Sequence, residues 1–487
     1  MKKTVLFILA AVVVLSSFSG CGGTKDDASN GKKPVISWYL RHEEQKDGAL
    51  VLAEMNKIIE EKIGATLEIK RIDAGSYAEK IKLAMAANET FDICHMAPRY
   101  DFYTHVLKGA FMPLDEILQE NAPKTYEQIP ERFWDAAKVN GKLYSVLNYQ
   151  IVGRQNGFIV LKSLLEKYNF DITSVKTLND IEPFFQSIVE NEPSNVICLP
   201  GSAYDWALTH YLGFDTIGAT SYPGVLLVNN HDFKVVNQFK TDEFNNFIKL
   251  MREWYLKGYI PKDAVTMTNL SDQKMQGLVA TTLDNIPPGY GPQFAKAVGD
   301  RPVETVLIEK PFVNTENVIA TMNCISRTSK NPDKALQLLE LINTDEGNLY
   351  NMLCFGIEGT HYKKISDERI EKLDDSGYNP NAAWMFGNQF NAFLVPGQED
   401  GLWEQTIELN NNADVSDLIG FSFNTDPIKI ELAQCETVIK EFLPSITAGA
   451  VDPDEYMPKF LDKLEKANVD KIIAEKQKQI DEWAANR

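Results

Sequence analysis

The chain has fewer basic than acidic residues and few long apolar runs. A basic surface is typical of nucleic-acid-binding proteins, and long apolar runs are typical of integral membrane proteins. Its 487 residues include 49 Lys and Arg against 68 Asp and Glu, a formal net charge of −19. Because binding to phosphate backbones needs a concentrated basic face, no nucleic-acid partner is expected. No apolar run after residue 21 approaches the ~20 residues needed to cross a bilayer. Any association with a membrane is therefore expected at the N-terminus.

Motifs for phosphate-binding loops, serine hydrolases and zinc peptidases are also absent. The chain contains no G-x-x-x-x-G-K-[ST], G-x-G-x-x-G, G-x-S-x-G or H-E-x-x-H. Its six histidines are too widely spaced in the sequence to indicate a metal site. These absences leave no positive evidence for catalysis, and neither a cofactor nor a metal is predicted.

Cysteine usage excludes a zinc ribbon or a thioredoxin-type site, because no C-x-x-C occurs. Beyond the N-terminal region the cysteines are widely spaced and most lie in apolar runs: Cys94, Cys198, Cys324, Cys354 and Cys435. An odd number cannot all pair with one another. The pattern favours small buried side chains, and one disulfide is left open.

The N-terminus has the composition of a secretion signal. Lys2 and Lys3 precede an apolar run over 5–15, and small residues then lead to Cys21. This order resembles a bacterial lipoprotein signal, in which the chain is cut before the cysteine and its sulfur is diacylated. Residues 1–20 are therefore predicted to be the signal peptide and Cys21 the lipidation site. An ordinary signal peptide and an uncleaved anchor are the alternatives.

The segment that follows the signal is small and polar, with no hydrophobic periodicity. Residues 21–33 cannot form a core, so they are predicted to be a flexible tether from the acylated Cys21. Two acyl chains are enough to hold a protein stably on a membrane. The folded body is expected to start near Pro34 and to be held by its lipid at the extracellular face of the cell membrane.

The first part of the folded body alternates between strand and helix patterns. Apolar runs, alternation and helical spacing predict, in order, strand, helix, strand, helix and strand over 35–40, 49–63, 66–72, 77–87 and 91–96. Gly64 is expected to end the first helix. A β-α-β-α-β order implies a parallel sheet covered by helices on both faces.

A less regular α/β order follows. Strand patterns over 143–147, 157–161 and 196–199, with a helical pattern over 178–189, suggest a second lobe. Further on, an apolar strand over 318–325 precedes a helix that starts at the Asn331-Pro332 cap signal. Near the end, apolar residues over 460–483 are spaced for one face of a packing helix, with an interruption near Asn468.

These patterns divide the body of the chain into three segments. Residues 34–148 are predicted to be the first segment of lobe 1, and 149–312 to form mainly lobe 2. Residues 313–487 are predicted to return to lobe 1 and to add a helical C-terminal region that bridges the lobes. The crossover strands are expected near 149–156 and 313–322, and whether one or three crossovers join the lobes is open.

Three stretches resemble the extracellular solute-binding proteins of ABC importers, in the larger two-lobed type that includes many carbohydrate binders. Residues 78–93 are similar to that family's helix and Phe-Asp-Ile strand. Residues 141–147 are similar to its strand before the crossover, with Leu147 and Asn148 in place of the family's proline. Residues 420–483 resemble the C-terminal region of Gram-positive lipoproteins similar to those called LipO.

The resemblance implies an α/β fold of the two-lobed, type II periplasmic-binding-protein kind, with mixed sheets, flanking helices and a central cleft. It implies a lipid-anchored monomer that binds a small solute, most often a mono- or oligosaccharide, and passes it to the membrane subunits of an ABC permease. Three alternatives are a peptide or amino-acid receptor, an extracellular polysaccharide-degrading enzyme, and a sensor or adhesion lipoprotein without transport.

Candidate ligand residues lie where the predicted strands end, because ligands of open α/β sheets bind outside the carboxyl ends of the strands. Aromatic rings suit the C–H faces of sugars, and the planar groups of Arg, Asp, Asn and Gln suit their hydroxyl pairs. In lobe 1 this rule selects Trp38, Tyr39, Arg41, Met96, Arg99, Tyr100, Asp101, Tyr149 and Gln150.

Further candidates come from the second lobe and from the region that joins the lobes. Trp206 and Asp284 are placed where the wall of a second lobe would lie, and the resemblance places Trp384 and Asn388 near the cleft. The aromatic candidates have core packing as their alternative, because large rings carry much buried area. A ligand with a carboxylate would need Arg41 or Arg99.

Overall fold

The computed structural model describes residues 33–201, 206–228, 230–267, 270–374 and 376–485. The predicted signal peptide and almost all of the predicted tether, including Cys21, lie outside the described residues. No helix within the described ranges is long and apolar enough to cross a membrane.

The strands are short and form several sheets. In the described part of the chain they are β1 (Val35–Arg41), β2 (Thr66–Ile72), β3 (Ile93–Met96), β4 (Lys138–Val139), β5 (Lys142–Leu143), β6 (Val146–Leu147), β7 (Asn156–Leu161), β8 (Phe214–Thr216), β9 (Val225–Leu227), β10 (Thr281–Asn285), β11 (Val303–Leu307), β12 (Phe312–Val313), β13 (Met322–Ile325), β14 (Tyr362–Lys364), β15 (Ile370–Lys372) and β16 (Asp414–Val415). The largest sheet has the order β2-β1-β3-β13-β6. Its first three strands are parallel and β13 is antiparallel to both neighbours.

Helices surround these sheets. Over the same described ranges they are α1 (Gly48–Ile63), α2 (Tyr77–Ala86), α3 (Phe102–Leu107), α4 (Leu118–Asn121), α5 (Pro123–Gln128), α6 (Glu131–Trp134), α7 (Lys162–Tyr168), α8 (Glu182–Asn191), α9 (Trp206–Tyr211), α10 (Asp242–Leu256), α11 (Ser271–Met275), α12 (Tyr290–Ala297), α13 (Thr315–Val318), α14 (Pro332–Asn343), α15 (Leu349–Phe355), α16 (Ala383–Phe386), α17 (Leu402–Asn412), α18 (Lys429–Thr447), α19 (Pro453–Lys466) and α20 (Val469–Ala484). The predicted β-α-β-α-β order of the first part is confirmed as β1-α1-β2-α2-β3. Gly64 ends α1 in the left-handed region at φ 66°, where glycine carries no Cβ penalty.

Three of the predicted strands are clearly shorter in the structure than in the sequence pattern. The predicted strand over 318–325 is β13 at Met322–Ile325 only, because Val318 ends the helix α13. The stretch 143–147 is divided between β5 and β6. The apolar run 196–199 forms only an isolated bridge from Ile197 to Val279 before Pro200 ends it. Proline has no N–H to donate to a ladder, so a buried run next to it does not extend as a strand.

A first core contains most of the buried apolar residues of segments 36–152 and 313–419. Its centre holds a chain of buried amide groups. Trp38 Nε1 donates to Asn323 Oδ1 at 3.0 Å, and Asn323 Nδ2 donates to Asn148 Oδ1 at 2.8 Å. Asn148 in turn donates to the Met385 carbonyl at 2.6 Å. Asn148 therefore joins three distant segments, a role that proline could not fill because it has no side-chain amide.

A second core contains most of the buried apolar residues of segments 158–308 and 428–472. Phe185 packs edge-on against Trp254 at 5.2 Å between ring centroids. Helices α18, α19 and α20 contribute their buried faces to this core, and Asn468, with φ 61°, separates the last two as the sequence predicts. The C-terminal region predicted to bridge the lobes thus places most of its apolar residues in the second core.

The chain passes between the two cores three times. Buried residues change core between 152 and 158, between 308 and 313, and between 419 and 428. Arg154 and Phe312 exchange backbone hydrogen bonds of 2.9 and 2.8 Å, and β12 pairs in parallel with β16. The first two passages and β16, which leads toward the third passage, are therefore hydrogen-bonded side by side. We call these three segments the crossing ribbon.

All five cysteines beyond Cys21 are buried and none forms a disulfide. The structure thus confirms the prediction that these cysteines are small buried side chains. The disulfide that the sequence left open does not form among these five.

A candidate ligand site between the two cores

A cavity of about 250 Å³ lies where the crossing ribbon joins the two cores. Helix α9 and strand β8 line it from the second core, and the segment of α13 lines it from the first. All of the lining residues except two phenylalanines are polar. The lining residues are Arg154, Asn156, Thr209, His210, Phe214, Asp215, Thr216, Thr220, Phe312, Asn314, Glu316 and Asn317. A concave site with convergent polar groups from two bodies is the usual setting for a small ligand.

Asp215, on β8, is the most unusual group of the cavity. It is 3% exposed, one carboxyl oxygen accepts a hydrogen bond from Ser416 Oγ, and Oδ1 has no partner among the described residues. Burial raises its pKa to about 7. The group can therefore accept a hydrogen bond as a carboxylate or donate one as an acid within an ordinary pH range.

His210, on α9, is held in place on two sides. Its ring stacks on Phe312 with 4.0 Å between centroids, and Nδ1 lies 3.3 Å from Glu309 Oε2. Glu309 also accepts from the backbone N–H of Asn156 at 2.8 Å. The imidazole and the aromatic face of Phe312 therefore offer a fixed flat surface and a polar edge at the crossing ribbon.

A second group of side chains meets at the carboxyl ends of β1 and β3. The buried ring of His95 lies 5.8 Å from Trp384 and 6.0 Å from Tyr100, both edge-on. Arg99 lies over the Tyr100 ring at 4.8 Å. Burial, with smaller contributions from the charges of Arg99 and Arg41, lowers the pKa of His95 to about 3. The structure thus brings together Arg41, Arg99, Tyr100 and Trp384 around an uncharged histidine.

This group continues toward the cavity through α3. The pKa of Tyr103 is raised by burial and by the nearby charge of Glu316, which lines the cavity. Tyr103 follows Arg99 by four residues, so the loop after β3 leads from the arginines toward the crossing ribbon. Parallel strands end at one edge of a sheet, which is why β1 and β3 present their last residues together.

Six of the sequence candidates fill the first core instead of an open surface. Their exposed fractions are small: Trp38 0%, Met96 0%, Tyr39 5%, Tyr149 6%, Tyr100 7% and Asn388 7%. Tyr39 stacks on Phe91 at 4.8 Å, and Tyr149 packs edge-on against Phe390 at the same distance. In this conformation they offer a ligand almost no surface, because burying a large ring stabilises the core.

The remaining candidates are dispersed. Asp101 is exposed, and Gln150 is half-buried with its carbonyl accepting from Asn410 Nδ2 at 2.8 Å. Asp284 is half-buried on β10 and accepts from the Tyr290 hydroxyl at 3.0 Å. Trp206 begins α9, which lines the cavity, but its side chain lies outside what the structure describes.

The residues of the cavity were missed from the sequence. Asp215 lies in a three-residue strand and His210 in a six-residue helix, both too short for a periodic pattern. The polar run 314–317 directly after a crossing strand was the one visible signal. Residues 314–317 line a cavity only because β8 packs opposite them, and no local sequence pattern predicts that packing.

The chain belongs to a family described as bacterial extracellular solute-binding proteins, whose profile matches residues 54–357, more than half of its length. A second profile, described as a domain of unknown function (DUF3502), matches residues 417–485. That match covers the last passage between the cores and helices α18–α20.

Relatives extend the similarity to the whole chain. A carbohydrate ABC transporter substrate-binding protein of Streptococcus pneumoniae serotype 4 is 29% identical over all of this chain and 99% of its own. The polygalacturonan/rhamnogalacturonan-binding protein YtcQ of Bacillus subtilis is 22% identical over 77% of this chain and 76% of its own.

Solved structures give the same result for the fold. The N-glycan transport solute-binding protein NgtS of S. pneumoniae matches with a TM-score of 0.80 and 29% identity, covering 93% of this chain and 100% of that one. Its complexes with Man1GlcNAc and Man5GlcNAc match with TM-scores of 0.65 and 0.63. The two-lobed α/β fold and the prediction of a solute-binding protein rather than an enzyme are confirmed.

Proposed function

We infer that the protein is the carbohydrate-binding receptor of an ABC importer, which encloses an oligosaccharide between its lobes and delivers it to a permease. The observation that carries this proposal is the polar cavity lined from both cores at the crossing ribbon. A ligand that contacts both lobes favours the closed arrangement, since only differential contacts shift a conformational equilibrium. The names of the relatives support carbohydrate as the solute, since they are a carbohydrate ABC transporter component, a polygalacturonan/rhamnogalacturonan-binding protein and an N-glycan transport solute-binding protein.

The lobes follow the two cores. Lobe 1 comprises 34–152 and 313–419, and lobe 2 comprises 156–308 and 428–485. This proposed division differs from the one expected from the sequence, because it assigns 428–485 to lobe 2 and not to a region that bridges the lobes. The passages between them serve as the hinge. The TM-score against NgtS is 0.80 for one crystal structure and falls to 0.65 and 0.63 for its two glycan complexes. Such a spread is expected of one protein whose lobes take more than one arrangement.

The proposed site combines the cavity with the edge of the first sheet. Arg41, Arg99 and Trp384 form the lobe 1 wall, and His210 and Asp215 form part of the lobe 2 side. Trp206 precedes His210 by four residues on α9. The protein acts as a monomer held by lipid on Cys21 at the extracellular face of the membrane, where it meets its permease.

A thermal-shift screen of the purified protein tests this function. The probes are mannose- and GlcNAc-containing oligosaccharides, oligogalacturonides, short peptides and free amino acids. A ligand at 100 times its dissociation constant adds about 2.7 kcal/mol of stability, which raises Tm by a few degrees. We expect a shift with carbohydrate, which is recovered uncleaved. Shifts confined to peptides or amino acids would favour a peptide receptor, and cleaved carbohydrate would favour an enzyme.

A further inference from the structure

Two arginines at the edge of the first sheet have no acidic partner among the residues that the structure describes. Arg41 is the last residue of β1 and is half-buried, and Arg99 is exposed in the loop after β3. Within the described ranges, neither guanidinium takes part in a hydrogen bond or an ion pair, and Arg99 lies over the Tyr100 ring. Arg71 and Arg369, by contrast, pair with Glu44 and Asp400 at 3.5 and 2.6 Å.

The two arginines belong to one surface. Strands β1 and β3 are parallel neighbours, with Trp38 opposite Ile93 and Tyr39 opposite Cys94, so their carboxyl ends meet at the same edge. Both guanidinium charges act on the buried His95, which lies between these strand ends and Trp384. The acids nearest in sequence, Glu43 and Asp101, are exposed and form no ion pair with either arginine in the described structure.

The centre of this surface does not supply a counter-charge. His95 is fully buried and uncharged at neutral pH, and its Nε2 has no partner among the described residues. Trp384 is half-buried and packs edge-on against the His95 ring, on which both guanidinium charges act. The local charge is therefore positive on a protein whose net charge is −19. At physiological ionic strength, salt screens the charges of carboxylates that lie more than about 8 Å away. The electrostatic potential at this surface is therefore set mainly by the two neighbouring guanidiniums.

A carboxylate is the group that this arrangement fits. The guanidinium is a planar fork of N–H donors that matches a carboxylate in bidentate geometry, and such charge-assisted bonds are the stronger ones. Neutral hydroxyls can also accept from arginine, but they leave the charge uncompensated. An aromatic ring beside the arginines adds a flat face on which the C–H side of a sugar ring can lie.

We propose that the ligand of this receptor is an acidic oligosaccharide, with a sugar carboxylate held between Arg41 and Arg99 and its ring packed on Trp384. The proposal rests on the carbohydrate-binding function above and narrows its substrate class. Uronic acids and sialic acids carry the same carboxylate, so the experiment distinguishes these two sources.

Titration calorimetry at low and moderate salt tests the proposal with charge-matched probes. Tetragalacturonate is compared with its methyl ester, 6′-sialyllactose with lactose, and Man5GlcNAc serves as a neutral glycan. We expect one of the two acids to bind about tenfold or more tightly than its neutral counterpart, with an advantage that shrinks as salt rises. The acid that binds identifies the source of the carboxylate.

Variants then assign the effect to the arginines. Arg41→Gln and Arg99→Gln each keep a hydrogen-bonding side chain but lose the charge, and each is expected to reduce the preference for the acid by about tenfold. Arg327→Gln is the matched control, because Arg327 is exposed at the other end of β13 and donates to Asn88. An unchanged Tm in each variant shows that the fold is retained.

The outcomes separate this proposal from the function on which it rests. Tighter binding of neutral glycans than of both acids would overturn the acidic ligand and leave a carbohydrate receptor standing. Retained preference for the acid in both glutamine variants would overturn the assignment to these arginines. Binding of peptides without any carbohydrate would overturn the receptor function and the acidic ligand together.

Discussion

Asp215 is a carboxyl group buried at the junction of the two lobes, and its protonation affects folding. Its pKa is raised from 3.8 to about 7, chiefly by burial, while Ser416 and His210 lower it. The folded protein thus binds more protons than the unfolded chain between these pH values. The free energy of unfolding therefore falls as pH rises from about 4 to 7, and the penalty persists above pH 7.

Replacing this carboxyl group by an amide is expected to remove that pH dependence. Asp215→Asn should be the more stable protein at pH 8, by a difference on the order of 4 kcal/mol, and should gain nothing at pH 4. Urea unfolding between pH 4 and 8 measures the effect. Asp367→Asn, at an exposed aspartate, is the control. Parallel curves for the wild type and Asp215→Asn would contradict this assignment.

The amino-acid type alone did not show which aromatic residues face the site and which are packed in the core. Trp38 and Trp384 both occur close to predicted cleft segments, yet the first is fully buried and bonded to Asn323 while the second is only partly buried. The difference arises from β13, which comes from nearly 300 residues further along the chain and covers Trp38. The position of the two arginines was predictable because strand ends meet at one edge of a parallel sheet.

Among the elements, α18, α19 and α20 show how a C-terminal segment becomes part of a lobe. Each presents one buried face to the second core, and α20 contributes Val469 and Ile472, both fully buried. Periodicity predicted the helix pattern over 460–483 and its break at Asn468. It did not predict which lobe the helices cover, because an amphipathic face specifies that a partner exists but not which one.

Truncating a buried side chain of α20 is expected to destabilise the second lobe. Ile472→Ala should lower the free energy of unfolding by about 2–5 kcal/mol, through lost burial and the cavity that remains. Ile430→Ala, on the exposed face of α18 where Ile430 is 70% exposed, should change it by less than about 0.5 kcal/mol. Chemical denaturation compares the two variants. Equal effects would mean that α20 is not integral to the second core.

At the scale of the whole molecule, the crossing ribbon determines how the lobes move. Arg154, Phe312 and Asp414 lie on segments joined side by side, so sliding one lobe across the other would break backbone hydrogen bonds. Rotation about the ribbon preserves these bonds and is the motion we expect. Sequence patterns indicated the first two passages but not the third, whose segment 419–428 carries no strand pattern.

Small-angle X-ray scattering is expected to detect this rotation. Saturation with the carbohydrate that gives the largest thermal shift should decrease the radius of gyration, because closure brings the lobes together around the cavity. The same carbohydrate added to Arg41→Gln at equal concentration should give a smaller decrease, in proportion to its lower occupancy. An unchanged radius at saturation would contradict closure of the lobes on ligand.

The buried cysteines give the molecule a set of internal chemical reporters. Cys94, Cys324 and Cys354 lie in the first core, and Cys198 and Cys435 lie in the second. None is oxidised, so the folded body needs no oxidant to form and is indifferent to a reducing medium. Each thiol becomes reactive only when its own lobe opens. The order in which an alkylating reagent marks the two sets, read by mass spectrometry, reveals which half of the receptor unfolds first.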